Sequence, residues 1–221
     1  MFIGYDPREA IAHHVCADSL MRHSSQPVEI TPLYLPHLRN YRELHTDCSN
    51  QFIYSRFLVP ALCDYHGMAL YLDGDMVIRG DIAELFAAAQ ADYSKCVWVG
   101  KHDYKTKQAT KYMGNKNEDY PRKNWSSVIV WNCASFPNRK LSPNYVQNAT
   151  GAELHRFGWI GEEKIGTLPL EWNWLVGEYP PNPHAKLLHY TLGIPDFPEY
   201  ADSDHAEDWL AARALAINCG D

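Results

Sequence analysis

A chain of 221 residues in which 46% are hydrophobic can bury one sizeable core and fits one α/β domain better than two small ones. Its formal charge of −7, dispersed along the sequence, argues against a nucleic-acid-binding surface. No basic segment followed by an apolar run opens the chain, and no apolar run approaches the roughly 20 residues of a membrane span, so a soluble, cytoplasmic protein is expected.

Residues 1–5 form an apolar run ending at Asp6-Pro7, and Ile11, Val15 and Leu20 follow at helical spacing, which predicts a strand, a turn and a helix over 8–21. Asp6 suits the cap and Pro7 the first turn. The loop after the first strand of a nucleotide-binding α/β fold reads a base or ribose. Tyr5 and Asp6 are therefore either ligand-binding residues or a core tyrosine and a helix cap. His13 and His14 point about 100° apart on this helix and read as structural. Residues 28–35 read as a second strand and 38–50 as a polar connection. FIYSRFLVPALC, residues 52–63, is apolar all round with a single charge, Arg56, and predicts a mostly buried helix. That guanidinium needs an anionic partner, either a carboxylate near the site or a phosphate or ribose.

MALYLDGDMVIRGDIAEL, residues 68–85, predicts a buried strand that delivers Asp73, Gly74 and Asp75 at its exit and then passes into a helix reaching 91. Residues 95–102 read as another strand. Between 103 and 124, five lysines and three tyrosines with few aliphatics predict a long surface loop, either a lid or a solvated connector. Residues 125–133 return to strand character, and 141–157 look helical. Residues 161–183 hold too much Gly, Pro and aromatic character for one regular element and suit the wall of a sugar site. A short strand over 186–192 carries His189, and 207–216 reads as a final helix. The six cysteines (Cys16, Cys48, Cys63, Cys96, Cys133, Cys219) lack any CxxC pair and are expected as reduced thiols.

Two carboxylates at the exit of a buried strand are costly without a cation between them. Asp73 and Asp75 are two apart, which on a strand turns both to one face, and Gly74 between them offers backbone freedom to turn. Such paired oxygens suit Mn²⁺ or Mg²⁺, which keep open positions for a diphosphate and stabilise it as a leaving group. The stretch ALYLDGDMV also fits the hhhhDxDx[TV] pattern of haloacid-dehalogenase-type phosphatases, with Asp73 as nucleophile and Asp75 as acid/base. That family carries the motif near its N-terminus with an acidic cluster downstream, a pattern this chain lacks. A non-catalytic sugar-nucleotide-binding module is a further alternative.

Taken in order, FIGYDPREAIAHHV, FIYSRFLVPAL, YLDGDMVIRGDIAELF, NWSSVIVWN, LPLEWNWLVGEY and LLHYTLGIPDF resemble a glycosyltransferase of the GT-A fold, similar to the glycosyltransferase 8 family. The resemblance implies an α/β, Rossmann-like nucleotide-diphospho-sugar transferase fold with a central mixed, mostly parallel sheet. It implies one domain over 1–221, with a donor-binding half of about 1–100 and an acceptor-side half of about 101–221, compatible with being part of a larger polypeptide. The implied activity is metal-dependent transfer of a hexose from a UDP-sugar, of the UDP-glucose or UDP-galactose type, to a glycan or glycoprotein acceptor, as in surface polysaccharide or capsid glycan synthesis.

By the same resemblance Asp73, Asp75 and His189 hold Mn²⁺ or Mg²⁺, and Tyr5, Asp6, Arg56, Asp73, Trp172 and Asn173 contact the UDP-sugar. Asp75, Glu162, Glu163 and Asn132 are the implied catalytic group near the transferred sugar. The chain departs from the family pattern HxxGxxKPW, because HYTLGIPDF, residues 189–197, has no Lys and Trp at the later places. One phosphate contact is therefore either missing or supplied by another residue, such as Arg56 or a lysine of the 103–124 loop. Retention of configuration needs only a held acceptor hydroxyl and a stabilised leaving group. Inversion needs a general base, for which Glu162 or Glu163 would serve.

Overall fold

The computed structural model describes residues 1–217, apart from the side chain of Met113, and Cys219 lies outside the described residues. In chain order the elements begin with β1 (Phe2–Gly4), a 3₁₀ turn at Pro7–Glu9, α1 (Ala10–His23) and β2 (Thr31–Leu33). A 3₁₀ turn at Ser55–Leu58 leads into α2 (Val59–Leu62), then β3 (Met68–Leu72), β4 (Met76–Ile78), α3 (Ala83–Gln90) and β5 (Val97–Gly100). The two-residue strands β6 (Thr110–Lys111) and β7 (Asn115–Lys116) form a hairpin before β8 (Val128–Asn132). The remainder comprises α4 (Pro143–Asn148), α5 (Gly151–His155), β9 (Ile165–Leu168), β10 (Trp174–Leu175), β11 (Leu187–His189) and α6 (Ala206–Ile217).

The main sheet runs β2-β1-β3-β8-β5-β9, with β8 antiparallel to both neighbours and every other pairing parallel. This is the mixed, mostly parallel α/β sheet expected from the sequence. Both faces are covered. Along β8, Val128 and Val130 enter the apolar cluster under α1 and α3, whereas Ile129 and Trp131 enter the cluster built with Phe57, Phe157 and Trp159. Strands β3 and β5 alternate likewise, which is why they read as unbroken apolar runs.

Several expected elements are shorter or broken. The expected helix over 52–63 is a 3₁₀ turn joined to a single helical turn, because Pro60 lacks an N–H and can only open a helix. Residues 141–157 split into α4 and α5, each with its own Ser142 or Thr150 cap. The 161–183 stretch contains β9, an edge strand of the main sheet. The passage from Asp75 to α3 is interrupted by β4, which pairs antiparallel with β11 in a second sheet of order β10-β11-β4. That pairing sets Met76 opposite His189, so it brings a late residue of the chain against the Asp73–Asp75 turn.

The five cysteines among the described residues are free thiols. Among those residues, no helix is long and apolar enough to cross a membrane.

Candidate functional site

The turn that carries the two aspartates is pinned at both ends by backbone hydrogen bonds. Asp73 N donates to Ser127 O at 2.9 Å, and Asp75 O accepts from Tyr190 N at 2.9 Å. Between them, a Cβ on Gly74 would lie 2.6 Å from Gly4 O, so glycine is required by the close approach of β1. Its φ is not in the left-handed region, which corrects the expectation that the residue serves to turn the chain.

One ligand atom each from Asp73, Asp75 and His189 lies within 4.8 Å of the others. His189 Nε2 stands 3.4 Å from Asp75 Oδ1, an oxygen that is buried and has no hydrogen-bond partner. The imidazole is 2% exposed and is oriented from behind, through Nδ1 at 3.0 Å from Asn173 Oδ1. The amide nitrogen of Asn173 donates to Asn124 O and Ser127 Oγ, so its oxygen must accept from His189. The proton is therefore on Nδ1, and Nε2 offers its lone pair to the site. Two carboxylates and one imidazole with an orphaned inward-facing oxygen fit a divalent cation of the Mn²⁺ or Mg²⁺ kind.

Arg56 takes the first of its two expected roles, pairing with a carboxylate. Its Nη1 lies 2.8 Å from Asp73 Oδ1 and donates to Ser126 O, while its plane rests against the rings of Phe52 and Tyr71. Tyr71 donates its hydroxyl to the same Asp73 oxygen at 2.6 Å. Burial pushes Asp73 above the ordinary carboxylate value, and Arg56 offsets only part of this. Burial is the largest influence on Asp75 and lifts it, but His189, a backbone hydrogen bond and the charge of Lys111 together hold the group below its ordinary value.

Around this centre a cleft is lined by Asn50, Arg56, Lys111, Tyr120, Ser126 and His155 with the metal-type ligands. Asn50 Oδ1, Arg56 Nε, Asp75 Oδ1 and His155 Nε2 all lie buried there without a protein partner. Such groups are rare in native proteins, and their convergence is what a polar ligand site requires. The inner cleft encloses about 70 Å³, too little for a nucleotide sugar, but Ile53, Tyr120 and His155 also line an adjoining cavity of about 450 Å³. His155 bonds Ser126 Oγ through Nδ1, and burial followed by the charges of Arg56 and Lys111 holds its imidazole neutral.

The structure brings Asp73, Asp75, His189 and Arg56 together, sets Asn173 behind His189, and gives the other expected residues the following places. Asn132 pairs with Met68 at the opposite end of β3 and donates to Tyr93 O and Lys95 O, because β8 is antiparallel and only its first residues reach the site. Glu162 is 56% exposed and bridges Lys101 and Arg122 outside the cleft. Glu163 folds back over Gly161. Trp172 belongs to the core under α1 and α3, with the Lys186 ammonium over its ring. Asn173 is buried behind His189 and acts through it. Tyr5 sits edge-on to His13 and Tyr34, and the Asp6 carboxylate is occupied by Arg8 and the backbone N–H of Gln51. Asp6 therefore anchors the 49–51 loop and caps the Pro7–Glu9 turn. Sequence reasoning missed Tyr71, His155 and Glu9; the carboxyl of Glu9 is raised above its ordinary value by burial, then by Asp75 and Asp6. Lys111 and Tyr120 had one signal, their place in the lysine- and tyrosine-rich loop.

The sheet and its Asp-Asp-His centre define an α/β protein of the GT-A glycosyltransferase fold. The bifunctional glycosyltransferase WbbM superposes with a TM-score of 0.67 at 16% identity, over 96% of this chain and 49% of that one. The glycosyltransferase GlyE of Streptococcus pneumoniae gives 0.59 at 15%, over 98% and 61%, and the galactosyltransferase LgtC gives 0.60 at 10%, over 100% and 97%. The chain thus spans about half of WbbM and under two thirds of GlyE. No family model matches the sequence. Protein CDI of Arabidopsis thaliana is 43% identical over 220 residues, covering 95% of this chain and 84% of that protein, and the chain belongs to the same family.

Proposed function

We propose that this chain is a metal-dependent glycosyltransferase that moves a hexosyl group from a UDP-sugar to a glycan or glycoprotein. The observation that carries the reading is the convergence of Asp73, Asp75 and His189 with four orphaned buried polar atoms in one cleft of a GT-A fold. Asp73, Asp75 and His189 would hold a divalent cation, which would supply charge neutralisation for the diphosphate as a leaving group. Arg56 and Tyr71 hold Asp73 in place, and Asn173 holds His189. Neither half of the chain forms the site alone, which supports a single domain across 1–217: Asp73, Asp75 and Arg56 come from the first hundred residues and His189 from the second half.

The adjoining cavity beside Tyr120 and His155 is the natural place for the sugar end. The ring of Tyr120 offers a stacking face, and His155 Nε2 a buried hydrogen-bonding atom. Among the described residues no carboxylate other than Asp73 and Asp75 lines the cleft. Asp47 lines the adjoining cavity and accepts from the Tyr54 hydroxyl, so inversion would take it as the carboxylate base, whereas retention needs none. A phosphatase that uses Asp73 as nucleophile is disfavoured, because Arg56 and Tyr71 both bind its Oδ1.

The test screens nucleotide sugars with and without Mn²⁺, recording thermal shift and UDP release. One UDP-sugar should stabilise the protein only with the metal, and UDP should be released slowly in a reaction that Asp75→Ala abolishes. Binding without turnover in the presence of glycan acceptors would indicate a binding module. Phosphate release from small phosphoesters, lost in Asp73→Asn, would indicate the phosphatase.

A further inference from the structure

The donor-site reading leaves open which cationic side chain of the protein meets the diphosphate. Arg56 cannot serve fully, because Asp73 already occupies its Nη1. The segment that follows His189, residues 190–197, contains no lysine or arginine. Of the five lysines in the 103–124 loop, Lys105 and Lys107 are exposed, Lys116 is 84% exposed and pairs with Glu118, and Lys123 is buried against Asn117 and the carbonyl of Glu118. Lys111 differs from all of them. It is half-buried, lines the cleft with Asp73, Asp75 and His189, and has no hydrogen-bond or ion-pair partner among the described residues.

The backbone explains how it gets there. Strands β6 and β7 pair Lys111 with Asn115, and Tyr112 N donates to Leu192 O at 2.6 Å, which docks the hairpin on the loop just after His189. At the root of the loop, Asn117 donates to Gln108 O and to Glu178, so the hairpin is fastened to the body at a second point. The ammonium is close enough for its charge to act on both Asp75 and His155.

Charge balance gives this placement its purpose. The two aspartates of the cleft are matched by Arg56 and Lys111, so a divalent cation leaves the cleft with a surplus of two positive charges. That surplus equals the charge of a nucleoside diphosphate esterified to a sugar. When the sugar departs, the diphosphate gains a further negative charge, and preorganised cations are most effective where charge develops.

We propose that Lys111, carried by the β6–β7 hairpin, binds the diphosphate of the nucleotide sugar and stabilises it as it leaves. The proposal rests on the donor-site reading above. It is tested by isothermal titration of UDP and of UMP into the full chain with Mn²⁺ present, for the native protein, Lys111→Met, Lys111→Arg and the exposed control Lys116→Met. Lys111→Met should weaken UDP about tenfold or more, because it removes a charge-assisted hydrogen bond to phosphate, and should weaken UMP by much less. Lys111→Arg should stay within about threefold of native and Lys116→Met should match it. Unchanged thermal unfolding of each variant shows that the fold survives. UDP binding by Lys111→Met equal to the native protein overturns the proposal while leaving the donor-site reading intact. Absence of metal-dependent UDP binding by the native protein overturns both.

Discussion

His189 depends on a residue that never faces the cleft. Asn173 fixes which imidazole nitrogen is free, and an Asn173→Ala variant should lose that control. Mn²⁺ affinity, measured by titration calorimetry, should fall roughly ten- to a hundredfold, with about 1–3 kcal/mol of stability lost from the buried partners left behind. Metal affinity equal to the native protein would show that the Asn173 contact is only structural. Glu9 makes the complementary point. Burial and the nearby Asp75 and Asp6 raise its folded pKa above 4.5, so the native state holds a proton that the unfolded chain releases. Stability therefore falls as pH rises above about 4.5, and Glu9→Gln should remove that fall. With chelator present, the melting temperature of Glu9→Gln relative to native should increase from pH 4 to pH 7; a constant difference would contradict this. Glu9 escaped the sequence, and Asn173 was expected on the donor rather than behind His189, for one physical reason. What matters is a contact with a group distant in the chain, and neither periodicity nor spacing reports it. Arg56 was legible because a lone charge in an apolar stretch must find a counter-charge, and Asp73 supplies it.

Among elements, β4 and β11 decide whether a metal site exists. Their antiparallel register sets Met76 against His189, and this places the imidazole beside Asp75. Strand β11 was readable as an apolar run with a histidine, whereas β4 was hidden because three apolar residues after Asp75 look like the passage into α3. The direction of β8 was equally hidden: a fully buried strand has no polar face to mark it, and its reversal is what carries Asn132 away from the site. Gly74 ties β3 to β1 at this point. Gly74→Ala would drive a methyl to 2.6 Å from Gly4 O, a backbone atom that cannot swing aside. The variant should lose about 1–3 kcal/mol in denaturant unfolding and bind Mn²⁺ more weakly, since Asp73 and Asp75 move with the turn. Native stability and native metal affinity together would show that the close approach is not required.

For the molecule as a whole, the α/β class and the position of the Asp-Gly-Asp turn were present in the apolar runs and their order, while the mixed character of the central sheet came only with the resemblance to the GT-A fold. The adjoining cavity proposed for the sugar was not legible there, because it and the cleft are lined by the 103–124 loop, the 49–51 loop and α5, whose approach to one another is set by tertiary contacts alone. Of the acidic residues expected there, Glu162 is drawn outward to Lys101 and Arg122, and the Glu163 carboxylate lies over Gly161. The cleft that results holds its unsatisfied polar atoms around Asp75 rather than around a carboxylate base. Everything proposed for the protein depends on this cleft binding a nucleoside diphosphate through a divalent cation held by Asp73, Asp75 and His189. The decisive measurement is titration of UDP into the protein with Mn²⁺, into the protein with chelator, and into Asp75→Asn with Mn²⁺. Binding is predicted in the first case, with a loss of at least about tenfold in the other two; equal UDP affinity in all three would contradict it.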